Sequence, residues 1–166
     1  MADISNSKLL TTDTGILHAE DACIVLVKTE WNAAVVDELE RGCIRALQNA
    51  GIKQILQLTV PGAVEIPFAI RRCWELSPAN RKPVAFIALG CVVRGDTPHF
   101  DYVCNAVTDG VVLLNHSLPV PTIFGVLTVN TDEQAQERIG GKHGHKGEEA
   151  GITALKMITL NQQLAG

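Results

Sequence analysis

The segment from residue 86 to residue 103 places a glycine-containing loop and a histidine directly after an apolar run. The run breaks at Gly90, Arg94 and Gly95 follow, and His99 stands where a helical pattern begins. Glycines let backbone N–H groups approach a ligand, and a helix N-terminus favours an anion. Because an imidazole transfers protons near neutral pH, the segment predicts an enzyme that acts on a phosphorylated substrate.

Four apolar runs rich in β-branched residues are predicted to be the strands that position this segment. They span residues 22–28, 54–60, 84–90 and 120–128, and each is followed by a pattern of helical spacing. Continuous apolar runs are typical of strands buried on both faces, and strands that alternate with helices imply right-handed βαβ units. The sequence therefore predicts an α/β fold, a three-layer α/β/α sandwich with a central four-stranded parallel sheet.

The helical patterns have recognisable start and stop signals. Asn32 is expected to cap the first helix and Gly51 to stop it. Thr131 and Gln134 resemble a capping box for a short fourth helix. The predicted helices cover about residues 32–51, 66–76, 99–114, 131–138 and 148–164, with loops at residues 80–83 and 140–147.

Length and composition predict a single domain over residues 1–166, with residues 1–20 as an N-terminal arm in which Ile16 and Leu17 could add a short edge strand. No segment has the apolar length of a signal peptide or a membrane span. A net charge of −4 without a concentrated basic face argues against nucleic-acid binding. Small molecules are therefore the expected partners.

The cysteines and histidines bear on compartment and metal binding. The five cysteines are odd in number and lack CxxC spacing, which favours a reducing compartment and hence a soluble cytoplasmic protein without a zinc site. His143 and His145 invite a metal site. Lys142 and Lys146 flank them, so a flexible basic loop is the better interpretation.

The residues after each predicted strand test the opening hypothesis, because ligands of open parallel sheets bind outside the carboxyl ends of the strands. Trp31 is either a stacking platform or packing under a loop, and Glu65 either binds ligand hydroxyls or stabilises a helix N-terminus. His99 either transfers protons or is a surface histidine, and Arg138 by itself is an ordinary last-turn cation. Polar groups, glycine or an aromatic ring follow all four strands, at residues 29–32, 60–67, 90–99 and 129–131.

Four motifs in order resemble the lumazine synthase family, over about residues 24–158. They are VPGAVEIPFA, ALGCVVRGDTPHFDYV, FGVLTVNTDEQAQER and GKHGHKG. The resemblance implies a flavodoxin-like fold and the condensation of 5-amino-6-(D-ribitylamino)uracil with 3,4-dihydroxy-2-butanone 4-phosphate, the penultimate step of riboflavin biosynthesis. It implies that no metal or organic cofactor takes part.

The resemblance also implies roles for individual residues. His99 matches the family's proton-transfer histidine. Cys91 is expected to contribute its backbone, and the Asp96 carboxylate to point away from the phosphate. The pyrimidine and ribityl group are expected at Trp31, Asn32, Ala63, Val64, Glu65, Cys91, Val92, Val93 and Phe124. The phosphate is expected at Gly95, Asp96, Thr97, Arg138 and Lys146.

Assembly follows from the same resemblance. Phe124 and Arg138 match residues that the family contributes across a subunit interface, which implies a pentamer with sites between adjacent subunits. The compact loop at residues 139–147 favours a hollow shell of sixty subunits over a free pentamer or a decamer. His145 stands where many relatives have Asn, and residues 77–82 form a slightly long segment.

Two other functions fit parts of the sequence. One is a riboflavin-binding or lumazine-binding protein of the same fold with little turnover, although such a protein needs neither His99 nor Arg138. The other is a doubly wound nucleotide or flavin domain, which predicts a loop rich in Gly, Ser or Thr after the first strand. Residues 28–32 (KTEWN) lack that loop.

Overall fold

A four-stranded parallel sheet forms the centre of the protein, in a computed structural model that describes residues 7–11, 19 and 21–166. The strand order is β2-β1-β3-β4. The strands are β1 (Cys23–Thr29), β2 (Gln54–Val60), β3 (Ala85–Val93) and β4 (Thr122–Val129). The predicted α/β fold with four parallel strands is confirmed.

Helices cover both faces of this sheet. They are α1 (Ala33–Asn49), α2 (Ile66–Leu76), α3 (His99–Ser117), α4 (Asp132–Gln136) and α5 (Lys146–Leu164). Short 3₁₀ turns lie at Leu9–Thr11, Ala63–Glu65 and Ala79–Arg81. A small antiparallel hairpin of β5 (Ile139–Gly141) and β6 (Gly144–His145) precedes α5.

Each face of the sheet has its own apolar core, because successive side chains of a strand point to opposite faces. In β1, Ile24 and Leu26 pack with α1 and α5, whereas Val25 and Val27 pack with α2 and α3. All four side chains are fully buried. This two-sided burial explains why the strand reads as a continuous apolar run.

The strands end at a common edge, which we call the carboxyl edge. Thr29 of β1 pairs with Val60 of β2, and the last residue of β3, Val93, pairs with Val129 of β4. β2 lies on one side of β1, and β3 and β4 lie on the other. The direction in which strands are added therefore reverses between β1 and β3. A crevice at such a reversal is the usual ligand site of an open α/β sheet.

The structure differs from the predicted elements mainly after β4. The predicted loop at residues 140–147 is the β5–β6 hairpin, in which Gly140 and Gly144 take φ values of +113° and +76° that favour glycine. α5 therefore begins at Lys146 rather than at residue 148. The predicted edge strand at Ile16 and Leu17 lies outside the described residues.

None of the helices in the described part of the chain combines the length and apolarity that crossing a bilayer requires.

Candidate functional site

The end of β1 presents an exposed indole next to a residue in a left-handed conformation. Trp31 is 73% exposed, so its ring is not packed under a loop. Asn32 has φ 56° and ψ 43°, and its Nδ2 donates a hydrogen bond of 2.8 Å to the carbonyl oxygen of Cys91. The expected side-chain cap of α1 is therefore wrong, because the amide of Asn32 instead ties the end of β1 to β3.

Trp31 and Glu65 meet at Gly62, although they follow different strands. A methyl group added at Gly62 would lie 3.0 Å from Glu65 Oε2 and 3.7 Å from Trp31 Cδ1. Glycine therefore leaves room for both side chains at this point. The carboxylate and the aromatic ring therefore both lie next to Gly62.

The turn Ala63–Glu65 connects this space to α3. Ala63 is buried, whereas Val64 and Glu65 are exposed. The same turn packs against α3, the helix that begins with His99. The three predicted site segments after β1, β2 and β3 thus lie along one edge of the sheet.

β3 extends beyond the end of β1, so its last residues have no β1 residue opposite them at the carboxyl edge. The last β1–β3 pair is Lys28 with Leu89, but β3 continues to Val93. Cys91 is buried, and desolvation with a smaller contribution from Asp132 raises its thiol pKa to about 11. A neutral thiol is a poor nucleophile, so the Cys91 side chain is not suited to nucleophilic chemistry.

The loop after β3 is exposed and begins with an engaged arginine. Arg94 bonds to Asn130 and Asp101, whereas Gly95, Asp96, Thr97 and the His99 side chain face solvent. The backbone N–H of His99 donates to Thr97 Oγ1 over 3.4 Å, a local bond at the entry to α3. The exposed amides at a helix N-terminus suit an anion.

The loop after β4 is held by the predicted capping box. Thr131 Oγ1 accepts from the backbone N–H of Gln134 at 3.3 Å. Gln134 Oε1 in turn accepts from the backbone N–H of Asn130 at 2.8 Å. The reciprocal bond thus reaches one residue further back than the usual box, which fixes the end of β4 against α4.

Phe124, Arg138 and Lys146 belong to β4 and the elements after it, and β3 separates β4 from the strand that leads to Trp31. Phe124 is 41% exposed and sits in the middle of β4, opposite Ala88. It lines a groove of about 950 Å³ along the edge strand β4, together with Lys146. Arg138 lies after α4, where its Nη1 donates to the carbonyl oxygen of Gln134 at 2.7 Å.

Lys146 is buried and has a carboxylate partner. Its Nζ lies 2.8 Å from both Oε1 and Oε2 of Glu149, one helical turn further along α5. A role for Lys146 is expected from the sequence, but its partner Glu149 is not. The helix predicted from the sequence begins at residue 148, so Lys146 falls in the preceding loop and its i,i+3 relation to Glu149 is not recognised.

His145 of the hairpin packs against α1 and caps α5. His145 Nε2 lies 3.3 Å from Glu38 Oε1, its Nδ1 accepts from the backbone N–H of Glu148, and its ring packs against Gly42. The interpretation as a flexible basic loop is therefore wrong for this residue, which joins α1 to α5. Within the described ranges no group of three or more His, Cys, Asp and Glu residues could hold a metal ion.

Comparisons with known proteins point to a single family. The family model described as 6,7-dimethyl-8-ribityllumazine synthase matches residues 21–162. A protein of that name from Bacteroides fragilis is 47% identical over 135 residues, which cover 80% of this chain and 92% of the relative. A protein of the same name from Parabacteroides distasonis is 43% identical over 145 residues, which cover 86% of this chain and 88% of the relative. Another from Flavobacterium psychrophilum is 41% identical over 162 residues, which cover 96% of this chain and 84% of the relative.

Proposed function

Because the chain belongs to the 6,7-dimethyl-8-ribityllumazine synthase family, we propose that its carboxyl edge joins 5-amino-6-(D-ribitylamino)uracil to 3,4-dihydroxy-2-butanone 4-phosphate. The products are 6,7-dimethyl-8-ribityllumazine, inorganic phosphate and water, and the enzyme is a transferase of riboflavin biosynthesis. The observation that carries the assignment to this edge is the meeting of Trp31 and Glu65 at Gly62.

The pyrimidine ring stacks on Trp31 and its ribityl chain extends towards Glu65. The indole offers a large exposed face, and Asn32 fixes the backbone beside it. The Glu65 carboxylate accepts hydrogen bonds from ribityl hydroxyls, and charge-assisted bonds of this kind are stronger than neutral ones. Ala63 and Val64 line the same turn.

The polar edge of the pyrimidine is read by the main chain of β3. Cys91, Val92 and Val93 lie beyond the last β1–β3 pair, so this stretch offers backbone groups where a further residue of β1 would pair. Because Asn32 occupies the Cys91 carbonyl, the remaining groups of this stretch are those proposed to bind the ring.

The phosphate of the second substrate binds the loop before α3. The backbone N–H groups of Gly95, Asp96 and Thr97 face it, and the Asp96 carboxylate points away. Arg138 reaches the same phosphate from the neighbouring subunit, and Lys146 is a nearby cation. Preorganised donors of this kind stabilise a leaving anion without reorganisation.

His99 moves the protons of the reaction. The amine of the pyrimidine attacks the ketone, and water leaves as the imine forms. Phosphate is then eliminated, and the ring closes with loss of a second water. Each of these steps moves a proton, which an exposed imidazole at the start of α3 relays. No metal or organic cofactor is proposed to take part.

The complete site requires two subunits. Phe124 and Arg138 lie away from the Trp31–Glu65 cluster in one chain, which supports their contribution to a neighbour's site. We propose a pentamer with a site at each interface, and a shell of sixty subunits as its closed assembly. The short β5–β6 hairpin supports the shell, since it adds little bulk to the outer surface.

The proposed location is the cytoplasm. All five cysteines fall in the described part of the chain and are free thiols. Cys43 is fully buried, and burial raises the pKa of its thiol to about 12. Thiols of this kind persist in a reducing compartment.

Product analysis tests the proposed reaction. Purified protein is incubated with both substrates, and the product is identified by mass and by lumazine fluorescence. The proposal expects 6,7-dimethyl-8-ribityllumazine in amounts far above the protein concentration. Binding of riboflavin or lumazine without turnover would instead support the binding protein, which the relatives' names do not favour.

A further inference from the structure

The side chain of Arg94 is engaged on three sides at the carboxyl edge. Its Nε donates to Asn130 Oδ1 at 3.0 Å, and its Nη2 donates to Asp101 Oδ1 at 2.9 Å. Nη1 donates a longer bond of 3.4 Å to Asp101 Oδ2. The guanidinium carbon lies 4.1 Å from the centroid of the Phe100 ring. A planar fork of donors over an aromatic face is a geometry that arginine provides and lysine does not.

These contacts fix both ends of the loop at residues 95–98. At its start, the backbone N–H of Arg94 donates to the carbonyl oxygen of Val129 at 2.9 Å, one residue beyond the last β3–β4 pair. At its end, the side chain of Arg94 holds Asp101 in the first turn of α3. The loop between them contains the amides proposed to bind phosphate and leads into His99.

The energy of the ion pair is not what makes this network important. The side chains of Arg94 and Asp101 are 42% and 55% exposed, and exposed pairs contribute little to stability. The network's value lies in geometry, because a displacement of about 1 Å at a reacting group can reduce a rate by about a hundredfold.

We propose that Arg94 is a positioning residue that sets the phosphate loop and His99, and that it does not bind the phosphate itself. The inference rests on the proposed function, since it assigns a role within that same site. Asp101 and Asn130 are its two polar partners, and they join α3 and the end of β4 to the loop.

The competing role is a direct phosphate ligand, and the two roles predict opposite effects of Asp101. If Arg94 acts through Asp101, Asp101→Ala releases the first turn of α3 and lowers kcat. If Arg94 binds phosphate, Asp101→Ala removes a competing carboxylate and lowers KM for the phosphate substrate. A lower kcat in Asp101→Ala therefore supports the positioning role, and a lower KM for the phosphate substrate supports the direct ligand.

The test uses Arg94→Ala, Arg94→Lys, Asp101→Ala and the double variant R94A/D101A in the full-length protein. We expect kcat to fall about tenfold or more in R94A and R94K alike, because lysine lacks the fork that both partners require. The double variant should be no worse than R94A, as expected for residues that act through each other. The Kd for the pyrimidine substrate should stay within about twofold.

Arg71→Ala is the matched control, since Arg71 forms an exposed pair with Glu75 at 2.9 Å within α2. This variant should retain wild-type kinetics. Thermal unfolding of every variant establishes that the fold is intact. Wild-type kcat in R94A, or wild-type activity in R94K combined with a lower KM in D101A, would overturn the proposal.

A second measurement is independent of turnover. Hydrogen exchange of the amides of residues 95–97 and 99, without substrate, should be faster in R94A than in the wild type and unchanged in R71A. Unchanged exchange in R94A would overturn the positioning role. If the wild type makes no lumazine, the proposed function fails, whereas the exchange result still decides what Arg94 does to the loop.

Discussion

At the scale of single residues, the proposed site combines exposed side chains with neighbouring residues whose hydrogen bonds hold the backbone in place. Trp31 and His99 are exposed, whereas their neighbours Asn32 and Thr97 form the local hydrogen bonds that fix the backbone. Cys91 shows the opposite arrangement, since burial raises its thiol pKa to about 11. This raised pKa is consistent with our proposal that the imidazole and backbone donors, rather than sulfur, take part in the reaction.

His99→Ala tests the proton relay. We expect turnover to fall by roughly a hundredfold, because positioned proton transfer typically contributes that much. Steady-state lumazine formation measures the effect. His116→Ala is the control, since His116 is exposed in the last turn of the same helix. A near-normal rate in H99A would assign the imidazole to positioning alone.

Arg138→Ala tests the phosphate contact. Loss of a charge-assisted hydrogen bond should weaken use of the phosphate substrate by about 1.5–3 kcal/mol, while binding of the pyrimidine changes little. Separate titration of KM for each substrate provides the readout. Equal losses for both substrates would contradict the assignment to phosphate.

At the scale of elements, two close contacts join parts of the fold: one links two strands, and the other packs two helices together. Asn32 links β1 to β3 through its amide. Gly147 brings α5 against α1 so closely that an added Cβ would overlap the backbone of Leu39. The first contact orients Trp31, and the second fixes the helix that carries Lys146.

Asn32→Ala should lower stability by about 1–3 kcal/mol. The change removes one hydrogen bond and places alanine in a left-handed conformation, each of which costs about 1 kcal/mol or more. Asn32→Gly is the matched variant, because it removes the bond but tolerates the φ of 56°. Thermal unfolding should rank the proteins as wild type, N32G, N32A. Equal stability of all three would show that the link to Cys91 contributes nothing.

Gly147→Ala should be more disruptive, costing about 1–3 kcal/mol or more as overpacking does, because the obstructing atoms are backbone. Gly95→Ala is the control for stability, since the space around Gly95 is open to 4 Å among the described residues. Unfolding midpoints in denaturant compare the two variants. A G147A protein as stable as G95A would contradict the close packing of α1 and α5.

At the scale of the whole molecule, the sheet was predictable because its strands carry strong local signals. β2 and α2 fall on the predicted residues. The central strands β1 and β3 are buried on both faces, and both read as continuous apolar runs. The hairpin before α5 was not predictable, since five glycine or histidine residues between 139 and 145 carry no strand pattern. The Asn32–Cys91 and Arg94–Asp101 contacts join distant elements or turns, which local patterns do not encode.

Subunit mixing tests the shared site. H99A and R138A should each be poorly active, but after joint unfolding and refolding some interfaces pair an intact His99 with an intact Arg138 from the neighbour. The mixture should therefore regain activity above that of either variant, and light scattering should give a pentamer or a larger assembly. No recovery in a confirmed mixed oligomer would place both residues in one subunit's site.

The most direct test of the central claim follows lumazine and inorganic phosphate in the same reaction, with each substrate omitted in turn. We expect both products to appear in a 1:1 ratio, at a rate that is proportional to the protein concentration and well above that of the uncatalysed condensation. Phosphate release without lumazine, or a rate equal to that of the protein-free mixture, would contradict it.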